Sequence, residues 1–188
     1  MLYLASKSPR RKELLQTLGV NFESINVDIE EIWDGTESAK SYVSRLAMGK
    51  ARTAVQSATN NWPVLASDTE VVLDSRVLGK PDSIEHGVEI LMSLSKQTHE
   101  VYSAVVLLQP DETVLVNVSH VTFRELSEKE CRDYCELGEP MDKAGAYAIQ
   151  GMGASFVTRF KGSYSAVMGL PLQETMQLLS ATGLTSKK

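Results

Sequence analysis

The chain has 188 residues, 43% of them hydrophobic and 23% charged, which suits one ordinary α/β domain over residues 1–188 or two small lobes that share a sheet. Its formal net charge of -5 argues against a nucleic-acid partner bound through a basic face, but it leaves room for a small basic pocket. No stretch approaches the roughly 20 apolar residues of a membrane span, and the N-terminus lacks a signal-peptide pattern, so we expect a cytoplasmic protein with no membrane partner.

The first two predicted elements are a strand and a helix. The short apolar run Leu2–Ala5 predicts a buried strand. Ser8 is a typical N-cap residue, and Pro9 fits the first position of a helix that ends at Gly19. One face of this helix carries Leu14, Leu15 and Leu18.

The first turn of this helix carries the basic cluster Arg10, Arg11 and Lys12. The helix dipole is positive there and disfavours cations by a few tenths to about 1 kcal/mol each. The cluster is favourable if a multiply charged anion, such as a polyphosphate, lies among these side chains and the free N–H groups. Open α/β sheets bind ligands where a strand leads into a helix, which supports this interpretation. The alternative is a basic patch of ordinary surface.

Strands and helices alternate in the middle of the chain, as judged from hydrophobic periodicity. A strand over Phe22–Val27 leads into the acidic segment Asp28–Glu31, and a helix follows from about Ser38 to Ala58. The next strand covers Val64–Ala66, ends at Ser67–Thr69 and continues extended through Val71–Leu73. After it come a turn at Asp74–Ser75, the loop Gly79–Pro81 and a helix from about Ser83 to Leu94. The long helix is predicted to bury Tyr42, Val43, Leu46, Ala47, Ala51, Ala54 and Val55.

The C-terminal part begins with two long β runs that indicate an antiparallel hairpin. The predicted elements are the strands His99–Leu108 and Thr113–Phe123 joined by Gln109–Glu112, a short helix opened by the capping box Ser127–Glu130, a glycine-rich segment over Met141–Gly153, a strand over Phe156–Phe160, a helix from Pro171 to about Ala181, and a disordered tail over Thr185–Lys188. The whole pattern predicts a mixed sheet flanked by helices, in two lobes with a cleft between them.

The cysteines and histidines do not indicate a metal site. Cys131 and Cys135 lie on one face of a predicted helix, and two ligands alone cannot close a structural zinc site, so we expect reduced thiols. The three histidines, His86, His99 and His120, are scattered and are interpreted as structural or surface residues.

Two carboxylates are candidates for chemistry. Asp68 follows a buried strand, where it would point into a cleft and could bind a divalent ion or accept a proton from water. Glu31 offers a second carboxylate, and a magnesium site that handles phosphates needs only one or two. The alternatives are a turn-capping role for Asp68 and a solvated acidic loop around Glu31.

Two lysines and one amide complete the candidate set. Lys80 lies on a stiff loop between a glycine and a proline, and Lys50 is flanked by small residues on the long helix. Gln150 ends the segment Asp142–Gly151, in which tiny residues would let a flat ligand approach, and its amide could contact a base edge. The alternatives are a solvated helix face for Lys50 and a plain connector for the segment.

Several familiar catalytic patterns are missing from the sequence. It contains neither the Walker phosphate loop nor the dinucleotide glycine fingerprint, and it has no serine in a G-x-S-x-G context. The sequence therefore favours metal-assisted attack by water over a covalent serine or cysteine route.

Taken together and in order, these motifs resemble the Maf family of nucleoside triphosphate pyrophosphatases, and the resemblance covers almost the whole chain. The motifs are Ser6–Arg11 after the first strand, Ser67–Thr69, Gly79–Pro81, Asp142–Gly151, Gly162–Tyr164 and Gly169–Pro171. The resemblance implies a Maf/Ham1-like fold, hydrolysis of a nucleoside triphosphate to the monophosphate and pyrophosphate with Mg2+ or Mn2+, and a house-cleaning role linked to cell-division arrest (septum formation inhibition). It also leads us to expect a homodimer.

Within that family, the stretch that ends at Gln150 is similar to the branch acting on dTTP and UTP. The resemblance implies that Asp68 is the proton acceptor. It ties Arg10, Thr69 and Gln150 to base choice, and it places Arg11, Glu31, Lys50 and Lys80 around the phosphates and the metal, with Glu31 and Asp68 as metal ligands.

Two positions depart from the family pattern. Ser67 stands where this branch usually has alanine, and Glu70 stands where an apolar residue is usual. Both adjoin Asp68 and Thr69, so they bear on substrate preference.

Two alternatives to a dTTP/UTP pyrophosphatase stay open. One is a pyrophosphatase directed at 7-methyl-GTP or purine nucleotides, and the other is a non-catalytic nucleotide-binding regulator of division.

Overall fold

Strands and helices alternate through the first half of the chain, and the computed structural model describes residues 1–108 and 112–184. The strands are β1 (Leu2–Ala5), β2 (Phe22–Ile25), β3 (Val64–Leu73), β4 (Arg76–Val77), β5 (Thr98–Leu108), β6 (Glu112–Phe123) and β7 (Val157–Lys161). The helices are α1 (Pro9–Thr17), α2 (Ala39–Ser57), α3 (Ile84–Leu94), α4 (Glu128–Glu136), α5 (Tyr164–Met168) and α6 (Leu172–Ala181). Short 3-10 turns span Ala144–Ala146 and Met152–Phe156.

The described strands form one mixed sheet in the order β2-β1-β3-β5-β6-β7, with β4 paired to β3. The pairs that β1 makes with β2 and β3 are parallel, whereas those among β3, β5, β6 and β7 are antiparallel. The predicted mixed sheet and the β5–β6 hairpin are therefore confirmed. Residues 109–111 of the predicted connection, and the predicted tail over Thr185–Lys188, lie outside the described residues.

Side-chain alternation along the strands gives the sheet two apolar faces, and helices cover both. On one face α2 packs its small residues against β1, β3 and β5, through contacts that include Ala47, Ala51, Ala5 and Ala66. On the other face α1 and α6 pack against Leu4 and Leu65. A further cluster joins α3 and α4 to the far halves of β3, β5 and β6. None of the helices in the described ranges is long and apolar enough to cross a membrane.

Strand β3 runs past the end of β1, and this difference in length positions the site. Strand β1 pairs with β3 only as far as Ala66, while β4 pairs with β3 from Val72 onwards. The stretch of β3 between these two residues therefore faces neither partner on that side. The turn at Asp74 and Ser75, both with positive φ, reverses the chain into β4 as the sequence predicts.

Several sequence-based predictions are wrong in detail. Strand β2 ends at Ile25, so Val27 lies beyond it, and Phe156 closes a 3-10 turn before β7 begins. Val55 is 39% exposed and does not belong to the buried stripe of α2. Ala54, the residue before it, is fully buried, so Val55 lies on the outer side of the helix at that turn and faces solvent.

The capping box predicted before α4 is half formed. The Ser127 side chain accepts a hydrogen bond from the Glu130 backbone N–H, as expected. The Glu130 carboxylate, however, pairs with the guanidinium of Arg124.

Cys131 and Cys135 are both buried free thiols on one face of α4, which agrees with the prediction of reduced cysteines.

Candidate active site

A cavity of about 310 Å³ lies beside the stretch of β3 that β1 and β4 leave uncovered. Its walls come from the start of α1, from α2, from β3 and from the segment after α4. All the residues that the sequence nominates for function line it, namely Arg10, Arg11, Glu31, Lys50, Asp68, Thr69, Lys80 and Gln150.

The start of α1 brings guanidinium groups to the cavity. Ser8 caps the helix by accepting a hydrogen bond from the Arg11 N–H, and Ser6 accepts one from the Ser8 N–H. The Arg11 Nε donates to the Gly169 carbonyl at 2.8 Å, which fixes that side chain in the wall. Burial lowers the pKa of Arg11, while the carboxylates of Asp68 and Glu31 oppose that shift.

Arg10 and Arg11 both line the cavity, whereas Lys12, the third member of the basic cluster, does not. The Arg10 side chain is 23% exposed and lies 3.7 Å from the Asp142 carboxylate. The interpretation of the cluster as an ordinary surface patch is therefore wrong for the two arginines.

Asp68 lies in the middle of β3, not at its end as predicted, because this strand continues unbroken through Leu73. It is 3% exposed, which excludes the alternative of a surface turn cap. Its Oδ1 accepts a charge-assisted hydrogen bond from the ammonium of Lys50, which itself is 8% exposed. The alternative of a solvated helix face for Lys50 is thus also wrong.

A chain of ion pairs continues from Lys50. Its Nζ lies 2.6 Å from Glu31 Oε1, and the Nζ of Lys80 donates to Glu31 Oε2 at 2.7 Å. Burial raises the pKa of Glu31, but the two ammonium groups outweigh it and bring the pKa down to about 2. Glu31 is therefore engaged at both oxygens by ammonium groups, although the loop that carries it, including Asp28 and Glu30, is exposed as the alternative interpretation of an acidic loop expects.

Glu70 is a cavity residue whose importance the sequence reasoning missed. It lies two residues after Asp68 on β3 and is 5% exposed. Burial raises its pKa to about 8, with further contributions from Asp68 and Glu31. The alternation Asp68-Thr69-Glu70 within a strand was the available signal, because residues i and i+2 share a face.

Two carboxylate oxygens in this cavity have no hydrogen-bond partner among the described residues. They are Asp68 Oδ2 and Glu70 Oε2. Buried polar atoms are almost always paired, so two orphaned oxygens in one cavity indicate a missing cation or donor. A Mg2+ or Mn2+ ion, which takes oxygen ligands, fits these atoms. The described residues contain no group of three or more His, Cys, Asp or Glu side chains placed to hold a metal.

The remaining predicted residues lie on other walls. Thr69 points to the opposite face of β3 from Asp68, and its hydroxyl shares a hydrogen bond with Ser103 Oγ at 2.9 Å. Ser67, on that same face, donates to the Gly169 carbonyl at 3.0 Å. A serine at position 67 thus helps to hold the loop that also anchors Arg11.

The segment that carries Gln150 is packed tightly against β3. Gly145 has a positive φ of 71°, and a Cβ there would lie 2.7 Å from the Val71 side chain, so only glycine fits. Its N–H donates to the Gly79 carbonyl at 2.7 Å, which ties this segment to the loop of Lys80. Tyr147 follows, and its hydroxyl lies 2.9 Å from the buried His99 Nε2.

The assembled cavity combines cations on two sides with buried carboxylates on β3. Such a site can bind a polyanion through Arg10, Arg11, Lys50 and Lys80. A carboxylate with one oxygen fixed and the other free can accept a proton from water next to that anion.

The chain is similar to known proteins over nearly its whole length. The model of a family described as Maf-like protein matches residues 1–182. The chain is 49% identical over 183 residues to a dTTP/UTP pyrophosphatase of Alkalilimnicola ehrlichii, a match that covers 95% of this chain and 91% of the relative. It is 51% identical over 180 residues to the dTTP/UTP pyrophosphatase of Escherichia coli O157:H7, with the same coverage.

Two solved structures have a lower similarity to this chain, in both sequence identity and TM-score. One is the nucleoside-triphosphatase or dITP/XTP pyrophosphatase from Mycobacterium abscessus, with a TM-score of 0.46 and 16% identity over 97% of this chain and 95% of that one. The other is the Staphylococcus aureus Ham1 protein, with a TM-score of 0.44 and 18% identity over 68% of this chain and 72% of that one.

Proposed function

This chain belongs to the Maf family, and from that premise we propose that it hydrolyses dTTP and UTP to the monophosphate and pyrophosphate. The observation that carries the proposal is the state of Asp68. It is buried in a cavity rich in cations, with Oδ1 held by Lys50 and Oδ2 without a partner among the described residues.

The cations of the cavity account for triphosphate binding. Arg10 and Arg11 enter from α1, whereas Lys50 and Lys80 enter from α2 and the loop after β4. Guanidinium groups can bind phosphate oxygens in a bidentate manner, and the lysines act as point charges. The free N–H groups at the start of α1 add to the same attraction.

Asp68 then acts as the proton acceptor. Its free Oδ2 takes a proton from water as the water oxygen bonds to the α-phosphorus, and the bond from that phosphorus to the bridging oxygen breaks to release pyrophosphate. Lys50 holds the carboxylate in place through Oδ1. Since the residues are fixed before substrate arrives, positioning and charge stabilisation supply much of the rate.

A divalent cation, Mg2+ or Mn2+, is part of this proposal. The orphaned carboxylate oxygens of Asp68 and Glu70 fit such an ion, and Glu31 lies in the same cluster. When bound, the ion neutralises phosphate charge and polarises the phosphoryl oxygen.

Arg10, Thr69 and Gln150 are proposed to determine base choice. All three line the cavity, and Gln150 is an exposed amide that can present a donor and an acceptor to a pyrimidine edge. Sequence reasoning also left open a preference for 7-methyl-GTP or purine nucleotides, and a regulator that binds nucleotide without catalysis.

A panel of nucleoside triphosphates, assayed for pyrophosphate release with Mg2+ and with Mn2+, tests the proposal. We expect dTTP and UTP to give the highest kcat/KM. A preference for purine or methylated substrates would overturn the assigned base choice. Saturable nucleotide binding without any pyrophosphate release would overturn the enzymatic function itself.

The proposal also covers the location, domain organisation, oligomeric state and partners of the protein. We infer a cytoplasmic location, one domain over residues 1–188, a homodimer and no nucleic-acid partner, the last supported by the net charge of -5. The link to cell-division arrest rests on the family. A solution mass near twice 20.7 kDa would support the homodimer.

A further inference from the structure

Asp68 and Glu70 project from the same face of β3 into the same cavity, because successive side chains of a strand alternate between faces. The two residues are only 3% and 5% exposed. Each has one carboxylate oxygen, Asp68 Oδ2 and Glu70 Oε2, without a partner among the described residues. Burying such oxygens unpaired is costly, so the pair requires a cation or a donor.

The neighbouring ammonium groups do not meet this requirement. Lys50 binds Asp68 Oδ1 and Glu31 Oε1, and Lys80 binds Glu31 Oε2. Both oxygens of Glu31 are therefore already engaged by ammonium groups. The buried acceptor oxygens of the cluster that stay unpaired are Asp68 Oδ2 and Glu70 Oε2.

We propose that Asp68 Oδ2 and Glu70 Oε2 together form a preformed site for a divalent cation of the Mg2+ or Mn2+ class, in place of the Glu31–Asp68 pair that the sequence suggests. The proposed ligand set is chemically suitable, because these hard cations prefer carboxylate oxygens and complete their shell with water and phosphate. The use of this site for a nucleoside triphosphate rests on the proposed function, whereas the binding of the ion itself does not.

This assignment gives separate tasks to the carboxylates of the cavity. Glu31 is held by Lys50 and Lys80 and serves to orient these cations. Glu70 has no ion-pair partner among the described residues and is free to ligate the cation. Asp68 has two tasks: its Oδ1 accepts from Lys50, and its Oδ2 would ligate the ion with one lone pair and keep the second for the proton of the attacking water.

Binding of Mn2+ to the full, nucleotide-free chain tests the site, with free Mn2+ measured by electron paramagnetic resonance. Glu70→Gln keeps the shape of the side chain but removes the carboxylate that would ligate the ion. We expect it to raise the Kd for Mn2+ by about tenfold or more, since even residues outside the ligand shell can matter that much. Glu23→Gln, an exposed carboxylate on β2, is the matched control and should bind as the wild type does.

Two further measurements make the test decisive. Circular dichroism and thermal unfolding show whether Glu70→Gln is folded, and Mn2+ should raise the Tm of the wild type more than that of the variant. Glu31→Gln should weaken Mn2+ binding less than Glu70→Gln does. The reverse order of these two variants would restore the Glu31–Asp68 pair and overturn the proposal.

Other outcomes also overturn it. They are a wild-type chain that leaves millimolar Mn2+ free, and a folded Glu70→Gln variant with unchanged Mn2+ affinity. If that variant binds Mn2+ normally but binds nucleotide weakly in the presence of a chelator, Glu70 contacts the nucleotide and not the ion. Pyrophosphate release is assayed separately, so Glu70-dependent Mn2+ binding without turnover would support the site while refuting the proposed function.

Discussion

The Lys50 ammonium and the Asp68 carboxylate form a buried ion pair that joins α2 to β3. Each residue is less than a tenth exposed, so each charge depends on the other for its solvation. The pair therefore contributes to the fold as well as to the site, and the two contributions can be separated by mutation.

Asp68→Asn tests the catalytic role. The amide oxygen can still accept from Lys50, but the side chain no longer accepts a proton from water. We expect kcat to fall by at least about 100-fold, in the range of general-base catalysis. Nucleotide affinity, measured by calorimetry with a chelator present so that no divalent ion contributes, should stay within about threefold of the wild-type value.

The control for this prediction is Asp133→Asn, which removes an exposed carboxylate on α4. Its turnover should match the wild type. A fully active Asp68→Asn enzyme would refute the assignment of Asp68 as the proton acceptor.

Lys50→Met tests the structural side of the pair. It leaves Asp68 buried without its cation, and breaking a buried pair in this way typically lowers the free energy of unfolding by about 3 kcal/mol. Chemical denaturation measures the loss. Adding Asp68→Asn in the same chain should restore part of it, because the stranded charge is gone.

Lys40→Met, at an exposed position of the same helix, is the control for the loss of a lysine. It should change the free energy of unfolding little. Strictly additive effects of the Lys50 and Asp68 substitutions would show that the two residues are not energetically coupled.

Arg10 and Lys12 form a matched pair for testing phosphate binding, because only Arg10 lines the cavity although both lie in the first turn of α1. Arg10→Gln should weaken nucleotide binding about tenfold, the loss expected for a charge-assisted hydrogen bond. The effect should shrink as salt is raised. Lys12→Gln should bind nucleotide normally. Equal losses of nucleotide affinity in the two variants would show that the general positive charge of this turn attracts the nucleotide, without a specific contact from Arg10.

His99 makes the fold sensitive to acid. Burial lowers its pKa from 6.5 to about 3, so the native state holds it neutral. Stability is then fully present above the unfolded pKa and is lost as pH falls below it. From pH 7 to pH 5 this group alone should remove about 2 kcal/mol from the free energy of unfolding.

The check compares wild type with His99→Gln by denaturant unfolding at several pH values. The variant should show a shallower decline below pH 6.5 even if its stability at pH 7 is lower. His120→Gln, which replaces a half-exposed histidine, is the control for the loss of an imidazole ring at pH 7. Parallel curves for wild type and His99→Gln would contradict the prediction.

The elements of the fold could be predicted largely from local patterns, since apolar periodicity, N-caps and turns are properties of short segments. Packing between elements could not be predicted in this way. Helix α2 buries Lys50 and exposes Val55, the reverse of their hydrophobicity, because Lys50 faces the carboxylates of the cavity whereas Val55 lies outside the buried stripe of the helix.

In the site, too, local sequence patterns predict one part and packing between elements decides the rest. The family motifs identified eight residues that line the cavity. Glu70 was noted only because it departs from the family pattern. Its significance depends on burial and on which lysine reaches which oxygen. Those contacts join residues far apart in the chain, such as Lys80 and Glu31, and no local pattern encodes them.

The uncovered stretch of β3 has one more consequence, for solubility. A strand with unpaired backbone groups can recruit a strand of another molecule and start aggregation. Here the stretch is short, and it carries Asp68 and Glu70 and lies among the cations of the cavity. Charged side chains along the uncovered side of a strand are a known protection against such recruitment. Substitutions that make this stretch neutral and apolar should therefore favour self-association of the chain.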